Sequence, residues 1–296
     1  MELRPIPLAK RILVTGASGA VGSAVASRLV REGSTVRGIA RKAWTDSPPG
    51  MERRTIDVVD QEGLGGAVEG MDAVVHCAAI GSDDLDASRR VNVDGVANLL
   101  AAMREKGCRR LVHISTVAAY DAQKGLDFDE ESPLWTEPLD AYGFTKAEGE
   151  RLVRADERRG LSAVILRPVV VLSMHRHSHW GPLALERART STEPIWPLAN
   201  MPYVHVDSLV EAVLLALTRE RAVGRAYNVL DGSAPTSEYL AAVSRALGQP
   251  VAQLAQAAPR LTCSGERIRE ELGYSPADRW REFLALLAVG TGQARA

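Results

Sequence analysis

The sequence predicts an α/β fold, a doubly wound parallel sheet followed by a smaller C-terminal region. Over the first 170 residues, short runs rich in β-branched residues alternate with longer segments of helical period, which is the pattern of βαβ units. A group of glycines follows the first of these runs directly. After Pro168 the rhythm gives way to an irregular, proline-containing tract, so the second part of the chain is organised differently.

Six strands are predicted from the apolar, β-branched runs of the first part. They are RILVTG at 11–16, STVRGIA at 34–40, RRTID at 53–57, AVVHCAA at 73–79, RRLVHIS at 109–115 and SAVILRP at 162–168. Helices of period 3.6 are predicted between them, at about 20–31, 61–69, 92–106 and 142–159. Gly33 and Gly107 stand where glycine commonly ends a helix.

The second part is predicted to contain a helix that begins at Asp207 or Ser208, because either side chain can cap LVEAVLLALTRE. A strand at RAYNVLDG and helices near 236–247 and 265–272 follow. The predicted domains are 1–172, completed by about 203–232, and a smaller region formed by 173–202 and 233–296.

Composition excludes several classes of protein. The 36 basic and 37 acidic side chains leave a net charge of −1 without a basic block, so we expect no nucleic-acid partner. Cys77, Cys108 and Cys263 are widely spaced, which favours a reducing, cytoplasmic location over a disulfide scaffold. No apolar run approaches the roughly 18 residues of a membrane span, so we expect no membrane partner.

The glycine turn carries the first functional signal. In LVTGASGAVGSAV, Gly16, Gly19 and Gly22 lie between a strand and a helix, where glycines permit a tight turn and close approach of the backbone to a pyrophosphate at the helix N-terminus. This context predicts a dinucleotide-binding Rossmann sheet, although a glycine turn without a ligand is an alternative. The residues expected to contact the cofactor here are Gly16, Ser18, Gly19, Ala20, Val21 and Gly22.

The end of the second strand indicates which dinucleotide binds. An acid at this place binds the ribose 2′-hydroxyl of NAD, whereas an arginine accommodates the 2′-phosphate of NADP. Here Ala40 is followed by Arg41 and Lys42, and a guanidinium pairs well with phosphate. The sequence therefore predicts NADP(H) in preference to NAD(H), with a merely solvated loop as the alternative.

Two further segments are predicted to line the same cofactor site. Asp57 closes the third predicted strand and could accept the adenine amino group, with Val58 beside it; a helix cap or a surface acid is the alternative. Cys77, Ala78 and Ala79 end the fourth strand. Their small side chains let the backbone approach the ribose, although plain packing would also explain them.

A reactive group is predicted where the fifth strand ends. Thr116 follows that strand, at the sheet edge where open α/β folds bind ligands, whereas His113 and Ser115 are predicted to pack. Tyr142 and Lys146 are four residues apart, on one helical face. A nearby ammonium would lower the pKa of the phenol and make it a usable acid or base. Alone, this spacing also occurs on ordinary amphipathic surfaces.

In combination these motifs resemble the extended short-chain dehydrogenase/reductases, the NAD(P)-dependent epimerase/dehydratase family. The resemblance covers about residues 11–245 and includes LRP at 166–168. It implies Thr116, Tyr142 and Lys146 as a catalytic triad, with Tyr142 and Lys146 also at the cofactor. It further implies that the strand after LRP, with Pro168 and Val170, lines the nicotinamide.

Departures from the family pattern discriminate between reactions. Val117 and Ala118 stand where the family's 4,6-dehydratases have Asp-Glu, and valines fill 169–171 where many epimerases have asparagine. We therefore predict NADPH-dependent reduction of a ketone or aldehyde on a hydrophobic small molecule, such as a polycyclic or aromatic one. Hydride would come from nicotinamide C4 and the proton from Tyr142, while Thr116 polarises the carbonyl. The alternatives are a sugar-nucleotide epimerase and a non-catalytic NADP-binding regulator.

Two further features are interpreted through the resemblance. His175, His177 and His179 alternate, which suggests a metal site, but the family needs no metal. We expect instead a loop through which substrate enters, with Trp180 and Trp196 as aromatic walls. The resemblance also implies a homodimer through the helices at 92–106 and 142–159.

Overall fold

The computed structural model describes residues 7–254 and 257–289. Its strands are β1 (Arg11–Thr15), β2 (Thr35–Ala40), β3 (Glu52–Thr55), β4 (Ala73–His76), β5 (Arg110–Ile114), β6 (Asp127–Phe128), β7 (Ser162–Pro168), β8 (Val170–Leu172), β9 (Asn200–His205), β10 (Arg225–Val229), β11 (Gly232–Pro235) and β12 (Thr262–Cys263). Its α-helices are α1 (Ala20–Arg31), α2 (Gln61–Val68), α3 (Leu85–Arg89), α4 (Gly95–Glu105), α5 (Ala141–Glu157), α6 (Pro182–Thr190), α7 (Val206–Thr218), α8 (Thr236–Leu247), α9 (Glu266–Leu272) and α10 (Trp280–Val289).

The main sheet has seven strands in the order β10-β7-β5-β4-β1-β2-β3, and every pair in it is parallel. Alternate residues of each strand enter two different cores. Ile12 and Val14 pack on the side of α1 and α7, whereas Leu13 packs on the side of α2 and α4. Because both faces are covered, the strands are apolar throughout. The predicted doubly wound α/β fold is confirmed.

A second sheet gives the rest of the chain its core. In the order β11-β9-β8, it packs against helices including α6, α8 and α10 through Leu172, Met201, Tyr239 and Phe283. The predicted strand at 225–232 is β10, which completes the main sheet beside β7. β9, in contrast, belongs to the small sheet, although residues 203–205 were expected to complete the first domain.

The predicted element boundaries need three corrections. The third strand ends at Thr55, so Asp57 follows the strand and does not close it. The helix expected at 92–106 begins at Leu85, because the Asp84 carboxylate accepts hydrogen bonds from two backbone amides; a π-helical turn at Arg90–Asp94 then leads into α4.

The third correction concerns α7, which begins at Val206 with His205 as its cap. Neither Asp207 nor Ser208 caps it, because the Ser208 hydroxyl donates instead to Asp231, 3.0 Å away. The expected helix ends at Gly33 and Gly107 are confirmed, with φ angles of 86° and 70°. Among the residues described, none of the helices has both the length and the apolar character that a bilayer span requires.

Candidate dinucleotide-binding and active site

The glycine turn between β1 and α1 is packed so closely that side chains would not fit. Gly16 has a φ of 64°, and its carbonyl accepts from the Gly19 amide at 2.9 Å. A Cβ on Gly22 would lie 2.2 Å from the Gly16 oxygen, and a Cβ on Gly16 would lie 2.8 Å from the Ala78 nitrogen. The backbone therefore forms a tight cradle at the N-terminus of α1, which fits a pyrophosphate group.

A cleft of about 620 Å³ opens at the carboxyl ends of β1, β2 and β4. It brings together most of the residues predicted to bind the cofactor. These are Gly16, Ser18, Gly19, Arg41, Lys42, Asp57, Val58, Cys77, Ala78 and Ala79. Residues that sequence reasoning did not assign also line it: Ile39, Ala40, Ala43, Trp44, Ile56, Ile80, Val91, Arg176 and His177.

The remaining predicted cofactor residues, which include Tyr142 and Lys146, do not line this cleft. Ala20 and Val21 lie in the first turn of α1, and Gly22 is buried beneath the glycine turn. Val170 is 7% exposed and packs in the core of the small sheet, and Pro168 pairs with Val229 as the last residue of β7. Pairing with Tyr203 draws the strand that carries Val170 into the small sheet, and its expected position at the nicotinamide stays a prediction.

The wall formed after β2 carries positive charge. Ala40 ends the strand in a buried position, and Arg41 and Lys42 follow it as exposed side chains on the cleft. Asp57 faces the same cleft, where one of its carboxylate oxygens accepts from the Val59 amide at 3.3 Å. The cap of α2 is Asp60, not Asp57.

The helix α5 places Tyr142 and Lys146 in its first two turns, and the Asp140 carboxylate caps it through the Gly143 amide. Lys146 is 2% exposed, and its Nζ donates to the Ile114 carbonyl at 2.8 Å. Burial lowers the pKa of this ammonium to about 8. The lysine is thereby fixed to the last residue of β5, at the carboxyl edge of the sheet.

The pKa of Tyr142 departs from the expected direction. Burial raises it to about 12, although a hydrogen bond with Thr116 lowers it in part. The sequence predicted a pKa lowered by the neighbouring ammonium. That prediction is wrong because Lys146 is engaged with the Ile114 carbonyl and desolvation of the phenol outweighs the other influences. The phenol is thus a proton donor at neutral pH.

Thr116 lies between β5 and a short 3-10 turn at Val117–Ala119, where its hydroxyl accepts from the Ala118 amide at 3.1 Å. It also lies close enough to Tyr142 to lower the pKa of the phenol, so the two residues predicted to act on the substrate oxygen lie together. Ser115 is 4% exposed, and its hydroxyl has no partner within the described part of the chain. The structure thus brings Thr116, Tyr142 and Lys146 to one edge of the sheet.

Two buried histidines lie side by side below this edge. His76 and His113 occupy neighbouring positions of β4 and β5, with ring centroids 5.3 Å apart. The Thr15 hydroxyl accepts from the Ala78 amide at 3.1 Å, so its proton is free to donate to His76 Nδ1, 2.8 Å away. Burial lowers the pKa of His76 to about 3, and also lowers that of His113. Both rings are therefore neutral.

Asn92, in the π-helical turn, is a site-forming residue that sequence reasoning missed. Its amide oxygen accepts from the Ile80 amide at 3.0 Å, and its Nδ2 donates to the Ile80 carbonyl at 2.9 Å and to the Thr145 hydroxyl at 3.1 Å. It therefore joins the loop after β4 to the helix that carries Tyr142. A polar residue amid the apolar periodicity of VNVDGVANLL was the available signal.

A buried ion pair supports α5 one turn beyond Lys146. The Arg167 guanidinium donates to the Glu150 carboxylate, with the shortest contact at 2.6 Å, and both side chains are almost fully buried. Arg167 also donates to the Tyr120 hydroxyl at 2.9 Å, which in turn donates to Asn228 at 2.7 Å. The Glu150 charge raises the pKa of Lys146 against the effect of burial.

The tip of the histidine loop reaches the dinucleotide cleft. His177 lines the dinucleotide cleft, where its Nδ1 donates to the Ser18 carbonyl at 3.2 Å. Its backbone amide donates to His175 Nδ1 at 3.2 Å. Trp180 and Trp196 contact each other edge to face, with centroids 5.2 Å apart, and pack against the small core. Residues 7–254 and 257–289 hold no cluster of three side chains suited to a metal ion.

The sequence also matches a known protein family. Residues 12–229 match the model of the NAD dependent epimerase/dehydratase family. The chain belongs to this family. As in the resemblance stated above, the matched residues run from β1 to the end of β10 and include the glycine turn, Thr116, Tyr142 and Lys146.

Proteins named for different activities are similar to the chain. UDP-glucose 4-epimerase of Streptomyces lividans is 30% identical over 90% of this chain and 92% of its own. A 4-hydroxy-2-methyl-3-oxo-4-farnesyl-3,4-dihydroquinoline-1-oxide ketoreductase of Stigmatella aurantiaca is 31% identical over 75% and 69%. A short-chain dehydrogenase/reductase superfamily structure from Agrobacterium tumefaciens with bound NAD is 28% identical, with a TM-score of 0.76 over 94% and 96%.

Proposed function

We propose that the chain is an NADPH-dependent carbonyl reductase acting on a ketone or aldehyde of a hydrophobic small molecule. The observation that carries the proposal is the wall after β2, where Arg41 and Lys42 face the cleft and no carboxylate stands at Ala40. An arginine at this position accommodates the 2′-phosphate of NADP(H), the phosphorylated dinucleotide that such a reductase would use. Similarity to the Stigmatella ketoreductase supports the same reading.

When bound, the dinucleotide would supply the hydride for this reaction. Its phosphates would be held by the glycine turn and by Arg41 and Lys42, and its adenosine part by the walls at Asp57 and Ala78. A nucleotide fits here because the backbone of the turn is open to a ligand where side chains would block it.

The chain's own residues would provide the proton. The pKa of Tyr142 is about 12, so the phenol carries its proton at neutral pH and can give it to a developing alkoxide. Thr116, hydrogen-bonded to that phenol, would orient the carbonyl oxygen. Lys146 is predominantly protonated at pH 7, since its pKa is about 8, and its ammonium, held by the Ile114 carbonyl, would bind the nicotinamide ribose, as the family resemblance implies.

Dehydration is not supported by the residues next to Thr116. Val117 and Ala118 form the 3-10 turn that follows it, and neither side chain can transfer a proton. The valines at 169–171 contain no group that could bind a diphosphate, although Val169 and Val170 are themselves buried. The residues beside Thr116 therefore favour carbonyl reduction over dehydration.

A sugar-nucleotide epimerase is the second candidate. It is favoured by the UDP-glucose 4-epimerase relative, whose similarity covers nearly the whole of both chains. Such an enzyme would return the hydride to the same substrate and show no net oxidation of the cofactor.

The test is to incubate the purified protein with NADPH and a panel of polycyclic and aromatic ketones, and separately with UDP-glucose or UDP-galactose. We expect loss of NADPH absorbance with at least one ketone and no interconversion of the UDP-sugars. Tyr142→Phe should abolish turnover and leave NADPH binding within about twofold. Tyr227→Phe is the matched control, because its hydroxyl bonds Glu271 far from the site. Interconversion of the UDP-sugars without ketone reduction would refute the proposal.

A further inference from the structure

The loop between β8 and α6, residues 173–181, reaches the same dinucleotide cleft as Arg41. Its tip carries Arg176 and His177, and both side chains line the cleft. The Arg176 guanidinium forms an ion pair with Asp46, in the segment that follows β2, while His177 binds the Ser18 carbonyl of the glycine turn. The loop therefore contacts two walls of the cleft at once.

The base of this loop is held by contacts of its own. The Ser178 amide donates to the His175 carbonyl at 2.8 Å, and the His175 amide donates to the Ser173 hydroxyl at 3.1 Å. A Cβ on Gly181 would lie 2.1 Å from the Ser173 carbonyl oxygen, so the two ends of the loop meet without space between them. Ser173 and Ser178 are buried. Arg176 is thus presented on a framework that is already ordered, which reduces the entropy lost when it binds a ligand.

The charges around Arg176 suit an anion with more than one negative charge. Arg41, Lys42 and Arg176 face the same cleft, and all three are exposed. In this structure one carboxylate oxygen of Asp46 pairs with Nη1 of Arg176, and half of the arginine side chain is still accessible. A phosphate presents the same pair of oxygens to a guanidinium as a carboxylate does, and carries more charge.

We propose that Arg176 is a third cationic ligand for the 2′-phosphate of NADP(H), supplied by the 173–181 loop, and that Asp46 competes with the phosphate for it. The inference rests on the proposed function, because it requires the phosphorylated dinucleotide. It adds a specificity residue from a segment that sequence reasoning assigned to the substrate. Because the loop joins the small sheet to α6, it also links cofactor binding to the part of the chain expected to hold substrate.

If Asp46 and the phosphate compete for Arg176, substitutions of Arg176 and of Asp46 should change the affinity for NADP⁺ in opposite directions. Arg176→Gln removes a charged donor from the phosphate, so NADP⁺ should bind about tenfold more weakly, a typical effect of one charge-assisted hydrogen bond. Asp46→Asn frees the guanidinium and removes a like charge from beside the phosphate, so NADP⁺ should bind severalfold more tightly. Neither change should move the affinity for NAD⁺ by more than about twofold, because NAD⁺ lacks the 2′-phosphate.

Isothermal titration calorimetry on the full chain with NADP⁺, NAD⁺ and adenosine 2′,5′-bisphosphate measures these affinities without requiring turnover. Arg11→Gln is the matched control, since Arg11 is a similarly exposed arginine paired with Asp72 at the opposite end of β1. We expect it to change none of the three affinities. The bisphosphate should follow NADP⁺ in each variant, because it carries the 2′-phosphate and lacks the nicotinamide.

Two results would overturn the inference while leaving the proposed function intact. In one, wild-type protein prefers NADP⁺ and Arg176→Gln leaves that preference unchanged. In the other, Arg176→Gln and Asp46→Asn both weaken NADP⁺ and NAD⁺ equally, which would make the ion pair a structural strap. If the proposed preference for NADP(H) is itself wrong, the wild-type protein will bind NAD⁺ more tightly than NADP⁺, a result that needs no variant.

Discussion

Replacement of Gly22 by alanine tests the close packing of the glycine turn. The new Cβ would lie 2.2 Å from the Gly16 carbonyl oxygen and 3.0 Å from the Ala17 Cα. Both are backbone atoms, so the clash cannot be relieved by turning a side chain. The Gly16 oxygen would have to move by about 1 Å to reach ordinary van der Waals contact, and that oxygen accepts the Gly19 amide which closes the turn.

The cost combines overpacking, about 1–3 kcal/mol, with a weakened hydrogen bond, about 1 kcal/mol. We therefore expect Gly22→Ala to lower the free energy of unfolding by about 2–4 kcal/mol. This should lower Tm by roughly 4–8 °C, at about 2 °C for each kcal/mol in a chain of this size. Urea unfolding measures the first quantity and calorimetry the second. NADPH binding should weaken at least tenfold, because the amides of the turn no longer form the cradle.

Gly66→Ala is the matched control. Gly66 lies within α2, and the atom nearest to a new Cβ there is 3.8 Å away, at the end of the Arg54 side chain. The same substitution should stabilise this protein by about 0.5–1 kcal/mol, the difference in helix propensity, and leave NADPH binding unchanged. If Gly22→Ala were as stable as wild type and bound NADPH equally well, the packing described for the turn would be refuted.

Three further predictions concern buried ionisable groups. The rate of ketone reduction should fall as pH rises through about 8, the pKa of Lys146. Because the Glu150 charge raises this pKa, Glu150→Gln should move the fall to lower pH in a kcat–pH profile. Acid should destabilise the protein below about pH 6.5, since His76 and His113 are neutral when folded and protonated when unfolded. In His113→Phe, the urea concentration at the unfolding midpoint should therefore fall less steeply with falling pH than in wild type. An unchanged slope would contradict this prediction. Arg167→Met should cost about 3–5 kcal/mol by leaving Glu150 unpaired, and Arg167→Met/Glu150→Met should recover most of it in urea unfolding, whereas equal loss in both would contradict the account.

The local features of the site could be predicted because they depend on short spacings. Three glycines within seven residues place the turn, and the four-residue interval from Tyr142 to Lys146 puts both side chains on one face of α5. The position of the two cations at the cofactor site follows from where β2 ends. Each of these inferences needs only the geometry of one strand, one turn or one helix.

Other features depend on contacts between distant elements. The pKa of Tyr142 is set by burial and by Thr116, which lies outside α5. Neither cause can be predicted from the spacing of residues along α5. Arg176 reaches the cleft because β8 pairs with β9 and so fixes where the next loop begins. Its partner, Asp46, is 130 positions away in the sequence. Periodicity carries no information about such contacts.

Isotope transfer from the cofactor tests the central claim most directly. NADPH deuterated at nicotinamide C4, in both positions, would be incubated with a ketone that the wild-type enzyme accepts, and the product examined by mass spectrometry. The account predicts one deuterium in the product alcohol for each NADP⁺ formed, and no transfer with Tyr142→Phe. Product alcohol without deuterium, or undiminished transfer by Tyr142→Phe, would contradict it.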